Sequence, residues 1–529
     1  MGIRTIRWDR LAQLATTSRI GFAMITTVLV LFGVMRLVQA TPYGLGLNGD
    51  SFYYITGAET MALGLGFGRL SGGGDFIPTT HYPPSYSATM AGLQLLGVDK
   101  LDSARLIAVV SFVVLISVVA MMLRREAGSN IPAFVTSAIL VTSPVMLNLY
   151  AWVMSEALYL ALAFMALYLL WNSENQRRTL LVLAAAILCG LALLTRYVGI
   201  ALAATGLVLI VLAKTSARRK LAEASLLLGI GALPMLGWIV RNAQLTGNLA
   251  NRNVLWHPVG LEHLEQLALH VLDWFVPAQI LARRLPLTGL IPLLGLIVGV
   301  VLLVLWRAAG LSGRFRREGL PTLLALHISL YLAALAISLT LFDPSTQVDD
   351  RILSPVYVAT MMVAGLGVWE VWRGRGALAR SAVLAGLAGF LLVNGLVQSR
   401  RVASYGLYGL GNAAPTIGNS ETVAAVKELP SVPIATNGMA RLYFWADRYT
   451  YSIPWRIDLD TGAERTAYQA DLQQLRDRLC PKGGVLVLFE PENLLPEQAS
   501  LTDLTQGLSL FGQYQDGEIY FCDDPGTGS

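Results

Sequence analysis

The chain alternates between long apolar stretches and short polar connections over most of its length. An apolar run of about twenty residues is long enough, as a helix, to cross a hydrocarbon core about 30 Å thick. The pattern predicts about eleven such helices, at residues 20–40, 104–123, 131–148, 152–171, 179–195, 197–213, 221–240, 287–306, 320–341, 352–372 and 381–397. The sequence therefore predicts a polytopic α-helical membrane protein.

The polar tail after the last apolar run predicts a small α/β domain. Its apolar and polar positions alternate over lengths typical of short helices and strands. The predicted elements are a helix at 420–428, a strand at 432–436, a helix at 464–480, a strand at 485–489 and a hairpin at 508–511 and 518–521. The chain is thus predicted to comprise a transmembrane module, residues 1–397, and a C-terminal domain, residues 398–529.

The three cysteines divide between these two parts. Cys189 lies within a predicted span, whereas Cys480 and Cys522 both lie in the tail. An oxidising compartment would allow Cys480 and Cys522 to form a disulfide. Two separate buried thiols are the alternative, and the sequence leaves both open.

Composition and charge support a membrane location and argue against a nucleic-acid partner. The chain is 54% hydrophobic and 14% charged, whereas soluble domains carry about a quarter charged residues. The net charge of +5 comes from short basic clusters between apolar runs, which are typical of topology signals. These clusters predict a multi-pass protein of the cell (inner) membrane with a cytoplasmic N-terminus. The loops 41–103 and 241–286 and the C-terminal domain are then extracytoplasmic.

Polar residues occur at the predicted outer ends of several spans, where hydropathy does not require them. They are Asp50 with Tyr53 and Tyr54, His81 with Tyr82, then Glu156, Arg196 and Arg351. Charged residues at membrane depth are costly, so they often mark a functional cavity. A carboxylate can accept a proton from an attacking hydroxyl, and arginines can bind a phosphate through paired hydrogen bonds.

Each of these residues also has a purely structural interpretation. Asp50 can cap the helix that follows it, and His81 can belong to a rigid turn set by two prolines. Glu156 can face headgroup water, and Arg196 can extend its side chain to the lipid phosphates. Arg351 can pair with a neighbouring aspartate. Their common predicted face is the reason to favour a shared function.

The sequence lacks the motifs of two common kinds of site. No His and Cys spacing is typical of metal ligands, and no glycine-rich phosphate loop is followed by Lys and Ser or Thr. The glycines at 72–74 are predicted to form a flexible loop tip. The sequence therefore identifies no cofactor, and it leaves a divalent metal open without supporting one.

Several short motifs, in this order, resemble the GT-C superfamily of membrane glycosyltransferases. The closest branch contains protein O-mannosyltransferases, lipid A aminoarabinose transferases and uncharacterised bacterial relatives. The motifs are Gly-Asp-Ser-Phe-Tyr-Tyr at 49–54, His-Tyr-Pro-Pro at 81–84, Met-Ser-Glu at 154–156, Leu-Thr-Arg at 194–196, Arg-Ile-Leu-Ser-Pro at 351–355 and Ala-Thr-Asn-Gly at 435–438. The resemblance spans nearly the whole chain.

The resemblance implies transfer of a hexosyl- or pentosyl-type sugar from a polyprenyl-phosphate-linked donor. The acceptor hydroxyl would belong to a lipid, glycan or protein on the extracytoplasmic face. Asp50 would be the general base of an inverting displacement. The other implied site residues are Arg196, Arg351 and His81 for the donor phosphate, and Glu156, Tyr53, Tyr54 and Tyr82 around the donor and acceptor.

One position departs from the pattern of the family. Several relatives carry a second acidic residue directly after the first, where this chain has Ser51. A two-carboxylate scheme at this loop, and any metal site that depends on it, are therefore in doubt.

Two other classes of function remain open from the sequence. A transporter or lipid flippase would use broken spans in matching halves, and Pro234 interrupts one span without an evident counterpart. A non-catalytic membrane scaffold with a sensor-like outer domain is the third possibility.

Overall fold

The computed structural model describes residues 17–172, 178–213, 215–247, 254, 256–258, 260–275, 319–342, 346–374, 376–458 and 462–522. The chain divides into two compact units. The first comprises Met1–Ala40 and Leu106–Ser404, and the second comprises Thr41–Arg105 and Tyr405–Ser529. The first outer loop is thus grouped with the C-terminal tail. The predicted division between residues 397 and 398 stays a prediction.

The first unit is helical throughout the part that the structure describes. The helices that form it wholly or in part are Arg19–Ala40, Lys100–Ala127, Ile131–Val141, Pro144–Tyr150, Glu156–Trp171, Arg178–Leu193, Ile200–Leu212, Ala217–Thr246, Leu261–Asp273, Leu320–Leu341, Asp350–Gly374 and Ala377–Tyr408. Six of these helices are long and apolar enough to cross a membrane. The chain is therefore a multi-pass membrane protein, and the predicted count of eleven spans stays a prediction. The predicted span 287–306 lies outside the described residues.

The predicted span at 131–148 is broken into two helices. Ile131–Val141 and Pro144–Tyr150 meet at an angle of 62°, and together they would make a seventh span. Ser143 accepts a hydrogen bond from the Met146 amide, and Pro144 is the first residue of the second helix. A proline at that position cannot donate to the preceding turn, so the first helix ends there.

Two helices of the first unit approach closely at glycines. A Cβ added to Gly190 would lie 3.2 Å from the Gly231 carbonyl oxygen. A Cβ added to Gly231 would lie 3.3 Å from the Ala186 carbonyl oxygen. Small residues at such a contact let two membrane helices pack backbone to backbone. This contact fixes the helix that leads directly to Arg196.

The second unit contains all the strands that the structure describes. They are β1 Gly68–Leu70, β2 Phe76–Pro78, β3 Ile434–Thr436, β4 Tyr451–Ser452, β5 Val485–Phe489, β6 Leu508–Tyr514 and β7 Gly517–Cys522. Strands β1 and β2 form a separate hairpin, and the others form one sheet in the order β4-β3-β5-β7-β6. β3 is parallel to β4 and β5, whereas β7 is antiparallel to β5 and β6.

Helices cover both faces of this sheet. Every residue of β5 is buried, which is why its sequence is a continuous apolar run without alternation. The helices of the unit are Gly49–Ala62, Ser85–Leu95, Pro415–Gly418, Glu421–Glu428, Met439–Ala446, Tyr468–Leu479 and Leu501–Thr505. Cys480, just after one of them, forms a disulfide with Cys522 at the end of β7. Of the two cysteine alternatives, the structure contains the paired form.

Candidate active site

The helix that carries Asp50 has a well-defined start. Asn48 is its N-cap and accepts a hydrogen bond from the Ser51 amide, while the Ser51 hydroxyl accepts one from the Asn48 amide. This reciprocal pair is a capping box. The interpretation of Asp50 as the helix cap is therefore wrong, because Asn48 fills that position. Ser51, which replaces a second acidic residue, is buried and used in the cap.

Asp50 instead directs its carboxylate towards an aromatic cluster. The Tyr82 hydroxyl donates a hydrogen bond to Asp50 Oδ1 at 2.6 Å. Burial, and next the negative charge of Asp50, raise the pKa of Tyr82 well above its ordinary value. The ring of Tyr82 contacts those of Tyr53, Tyr54 and His81 at centroid distances of 5.5, 5.1 and 5.0 Å. Tyr82 therefore connects the Asp50 carboxylate to three further predicted site residues.

A second carboxylate on the same helix has a different environment. Glu59 Oε2 accepts hydrogen bonds from the hydroxyls of Tyr443 at 2.6 Å and Tyr449 at 2.8 Å. Lys100 lies over the Tyr443 ring, with Nζ 4.4 Å from its centroid. Glu59 thereby links the first outer loop to the C-terminal tail within the second unit. Its contacts are those of a structural residue.

In the first unit, Glu156 and Arg196 form an ion pair. Arg196 Nη1 lies 2.5 Å from Glu156 Oε1, and the Glu156 side chain is only 3% exposed. Glu156 is the first residue of the helix Glu156–Trp171, where the helix dipole favours negative charge. Arg196 lies between the helix Arg178–Leu193 and the short turn Tyr197–Gly199. The pair excludes the interpretation that Glu156 simply faces headgroup water.

The turn after Arg196 requires glycine at its end. A Cβ added to Gly199 would lie 2.8 Å from the backbone nitrogen of Leu193. The chain therefore folds back tightly on the preceding helix directly after Arg196, whose guanidinium pairs with Glu156.

Arg351 also pairs with a carboxylate of the first unit. Its Nε lies 2.8 Å from Asp349 Oδ2, as one structural interpretation of the sequence anticipated. Asp350 has other partners, because it accepts hydrogen bonds from His270 Nδ1 at 3.2 Å and Trp274 Nε1 at 3.1 Å. The hydrogen bond to Asp350 raises the pKa of His270 above its ordinary value, although burial opposes this.

Two residues of these clusters could not be selected from the sequence. Tyr449 and His270 carry no recognisable motif, and they become visible only through their contacts. Trp274 also belongs to these clusters, because it is 3% exposed and donates a hydrogen bond to Asp350. Tertiary packing, which no local sequence pattern encodes, brings these residues into the clusters.

Comparison with known proteins identifies the fold. The model of the family described as dolichyl-phosphate-mannose-protein mannosyltransferase matches residues 81–239. The crystal structure of ArnT from Cupriavidus metallidurans in the apo state is similar, with a TM-score of 0.60 and 16% identity over 94% of this chain and 98% of that one. The crystal structure of the same protein bound to undecaprenyl phosphate has a TM-score of 0.57 and 14% identity, over 96% of this chain and 99% of that one.

A third solved structure extends the comparison beyond that protein. The Archaeoglobus fulgidus oligosaccharyltransferase in the apo form has a TM-score of 0.55 and 10% identity, over 96% of this chain and 75% of that one. No curated protein sequence matches the chain. The chain shares the fold of ArnT, and the resemblance to GT-C membrane glycosyltransferases seen in the sequence motifs is confirmed by the family match together with this shared fold.

Proposed function

We propose that this protein transfers a sugar from a polyprenyl-phosphate-linked donor to an acceptor hydroxyl on the extracytoplasmic face of the membrane. The observation that carries the proposal is the Asp50 carboxylate, which accepts a hydrogen bond from Tyr82 within a cluster of aromatic rings. The glycosyltransferase fold and the match to a lipid-linked mannosyltransferase family supply the class of reaction. ArnT has been captured with undecaprenyl phosphate, which supports a polyprenyl carrier here.

In the proposed reaction Asp50 acts as the general base. The acceptor oxygen attacks the anomeric carbon and gives its proton to the Asp50 carboxylate. The bond between the anomeric carbon and the phosphate oxygen breaks, and its electron pair leaves with the polyprenyl phosphate. One displacement of this kind inverts the anomeric centre. The Tyr82 phenol keeps the carboxylate oriented without neutralising it.

Arginines are the proposed ligands of the leaving phosphate. Each guanidinium has five N–H donors, so Arg196 and Arg351 can hold a phosphate oxygen while a carboxylate partner fixes their orientation. The exposed His81 is proposed to assist at the same phosphate. We assign Glu156 to positioning through Arg196, and Tyr53 and Tyr54 to the packing around Asp50.

A transfer assay in proteoliposomes tests the proposal. Purified protein is given a radiolabelled polyprenyl-phosphate sugar and an envelope lipid extract, and new glycosidic products are identified by mass spectrometry. Wild-type protein should form product, and Asp50→Asn should reduce the rate by about 10²–10⁴-fold, as removal of a general base does. Asp75→Asn, an exposed aspartate of the same loop, is the matched control and should retain the rate.

Two results would contradict the proposal. Movement of the donor across the bilayer without any new product would indicate a transporter or flippase. Equal rates for wild type and Asp50→Asn would remove Asp50 from the role of base.

A further inference from the structure

A cavity in the second unit lies beside the sheet edge and has no role in the reaction proposed above. It encloses about 190 Å³, many times the roughly 30 Å³ share of one water molecule. Its walls come from the first outer loop and from the chain around β4 and the helix Tyr468–Leu479. The residues that matter here are Arg69, Tyr451, Trp455, Arg465, Asp471 and Arg478.

The cavity has an excess of positive charge. Arg465 pairs with Asp471 at 3.1 Å, so that guanidinium is largely compensated. Arg478 lies over the ring of Tyr451, 5.3 Å from its centroid, and Arg69 is the third arginine of the lining. Three arginines and one aspartate leave the cavity able to attract an anion.

Among these arginines, Arg69 has a hydrogen-bond donor that is not satisfied within the described residues. Its Nη1 is buried and has no hydrogen-bond partner in the part of the chain that the structure describes. A buried donor without a partner is costly, and the Arg69 side chain is part of the cavity lining, so an anion that binds its guanidinium there can offset part of that cost. Burial also lowers the pKa of Arg69 below its ordinary value, although the Tyr53 phenol opposes this. Tyr53 belongs to the cluster around Asp50.

The rest of the lining suits a sugar ring. Trp455 and Tyr451 supply aromatic surface, and Ser452 and Gln474 supply groups that hydrogen-bond to hydroxyls. Gly72 and Gly73 pack against Tyr451, where a Cβ on Gly72 would lie 2.9 Å from its ring. These two glycines therefore pack against Tyr451, which forms one wall of the cavity.

We propose that this cavity binds an anionic carbohydrate, with a carboxylate or phosphate group at Arg69 and Arg478 and the sugar ring against Trp455. If the proposed function holds, the bound group belongs to the acceptor, so the assignment as acceptor site rests on that function. The proposed binding itself does not depend on that function. The residues of this cavity lie far apart along the chain and form no motif, so the sequence alone does not reveal the site.

Binding measurements on the full chain in detergent test the cavity. Isothermal titration calorimetry is performed with glucose 6-phosphate, glucuronate, glucose and inorganic phosphate, on the Asp50→Asn protein so that no turnover intervenes. At least one of the two charged sugars should bind ten or more times as tightly as both glucose and inorganic phosphate. Arg69→Gln should weaken that binding at least tenfold, and Lys482→Gln, an exposed residue of the same unit, should not change it.

Four results would contradict the proposed binding. No binding of either charged sugar, equal binding of glucose, equal binding of phosphate alone, or unchanged binding in Arg69→Gln would each overturn the proposal. If Arg69→Gln does not fold, Arg478→Gln replaces it, because that side chain is exposed and its loss leaves the core intact. Since binding is measured without donor, failure here leaves sugar transfer untouched, and failure of transfer leaves this result standing.

Discussion

Asp50 and Glu156 are two carboxylates of the proposed chemistry that differ in their partners. Asp50, in the second unit, accepts a hydrogen bond from a phenol. Glu156, in the first unit, is almost fully buried and pairs with a guanidinium at 2.5 Å. A phenol that keeps its proton leaves the carboxylate negative, whereas the guanidinium compensates the charge. A carboxylate of the first kind is suited to accept a proton, and one of the second kind is suited to hold a cation in place.

This difference supports the different roles proposed for the two acids. Asp50 lies in a predicted outer loop and Glu156 near the predicted outer end of a span. Only their partners, which come from distant parts of the chain, separate a candidate base from a positioning residue. The predictions below alter those partners, beginning with the largest expected effect.

Removal of the arginine from the buried pair should have the largest effect. Arg196→Gln leaves Glu156 buried without its ion-pair partner, which costs about 3–5 kcal/mol. Thermal unfolding in detergent, followed by intrinsic fluorescence, should show a clearly lower midpoint. The double variant Glu156→Gln with Arg196→Gln should recover most of the loss. A single variant as stable as wild type would mean that the pair is not the buried contact described here.

Removal of the phenol hydroxyl from the other carboxylate should have a smaller effect on stability. Tyr82→Phe removes a hydrogen bond to a charged group, which is worth about 1.5–3 kcal/mol. Sugar transfer should fall about tenfold because Asp50 loses its orientation while its carboxylate remains. Tyr86→Phe, a nearby fully buried tyrosine, tests whether any lost hydroxyl has this result. Equal losses of transfer in both variants would contradict a specific role for Tyr82.

Loss of the helix cap beside Asp50 should have a still smaller effect on stability. Asn48→Ala removes one half of the capping box and should reduce stability by about 1 kcal/mol. Asn48→Asp retains an acceptor for the Ser51 amide and should preserve stability. If Asn48→Ala were neutral, the start of the helix would have to depend on a contact other than the cap.

Asp350 has a third kind of partner, a histidine, and this pair predicts a small dependence of stability on pH. His270 donates to Asp350, and its pKa is raised in the folded protein. Its contribution to stability is therefore present below the unfolded value of about 6.5 and is lost as pH rises through the folded value. The stability difference between wild type and His270→Gln should shrink as pH increases. A difference that grows with pH would reverse this sign.

Local patterns predicted much of the fold. The apolar run 485–489 corresponds to the buried strand β5, and Ser420 caps the helix Glu421–Glu428. Apolar periodicity placed most helices within a few residues, but it did not predict the break at Pro144. There the effect of one proline outweighs the apolar character of the run around it.

The candidate site was only partly predictable. Polar residues in apolar surroundings are conspicuous, so Asp50, Glu156, Arg196 and Arg351 could be selected from the sequence. Most of the pairings could not be predicted, because Tyr82 lies 32 residues from Asp50 and the choice between Asn48 and Asp50 as cap depends on backbone geometry. The arginines of the cavity beside β4 look like ordinary loop charges until the chain folds.

The central claim, that the Asp50 carboxylate is the base for sugar transfer, is tested most directly by separating catalysis from donor binding. Turnover at saturating donor and the donor dissociation constant are measured for wild type and Asp50→Asn. A base acts only in the transition state, so turnover should fall about 10²–10⁴-fold while donor affinity changes little. Turnover equal to that of wild type, or a loss explained entirely by weaker donor binding, would contradict the account.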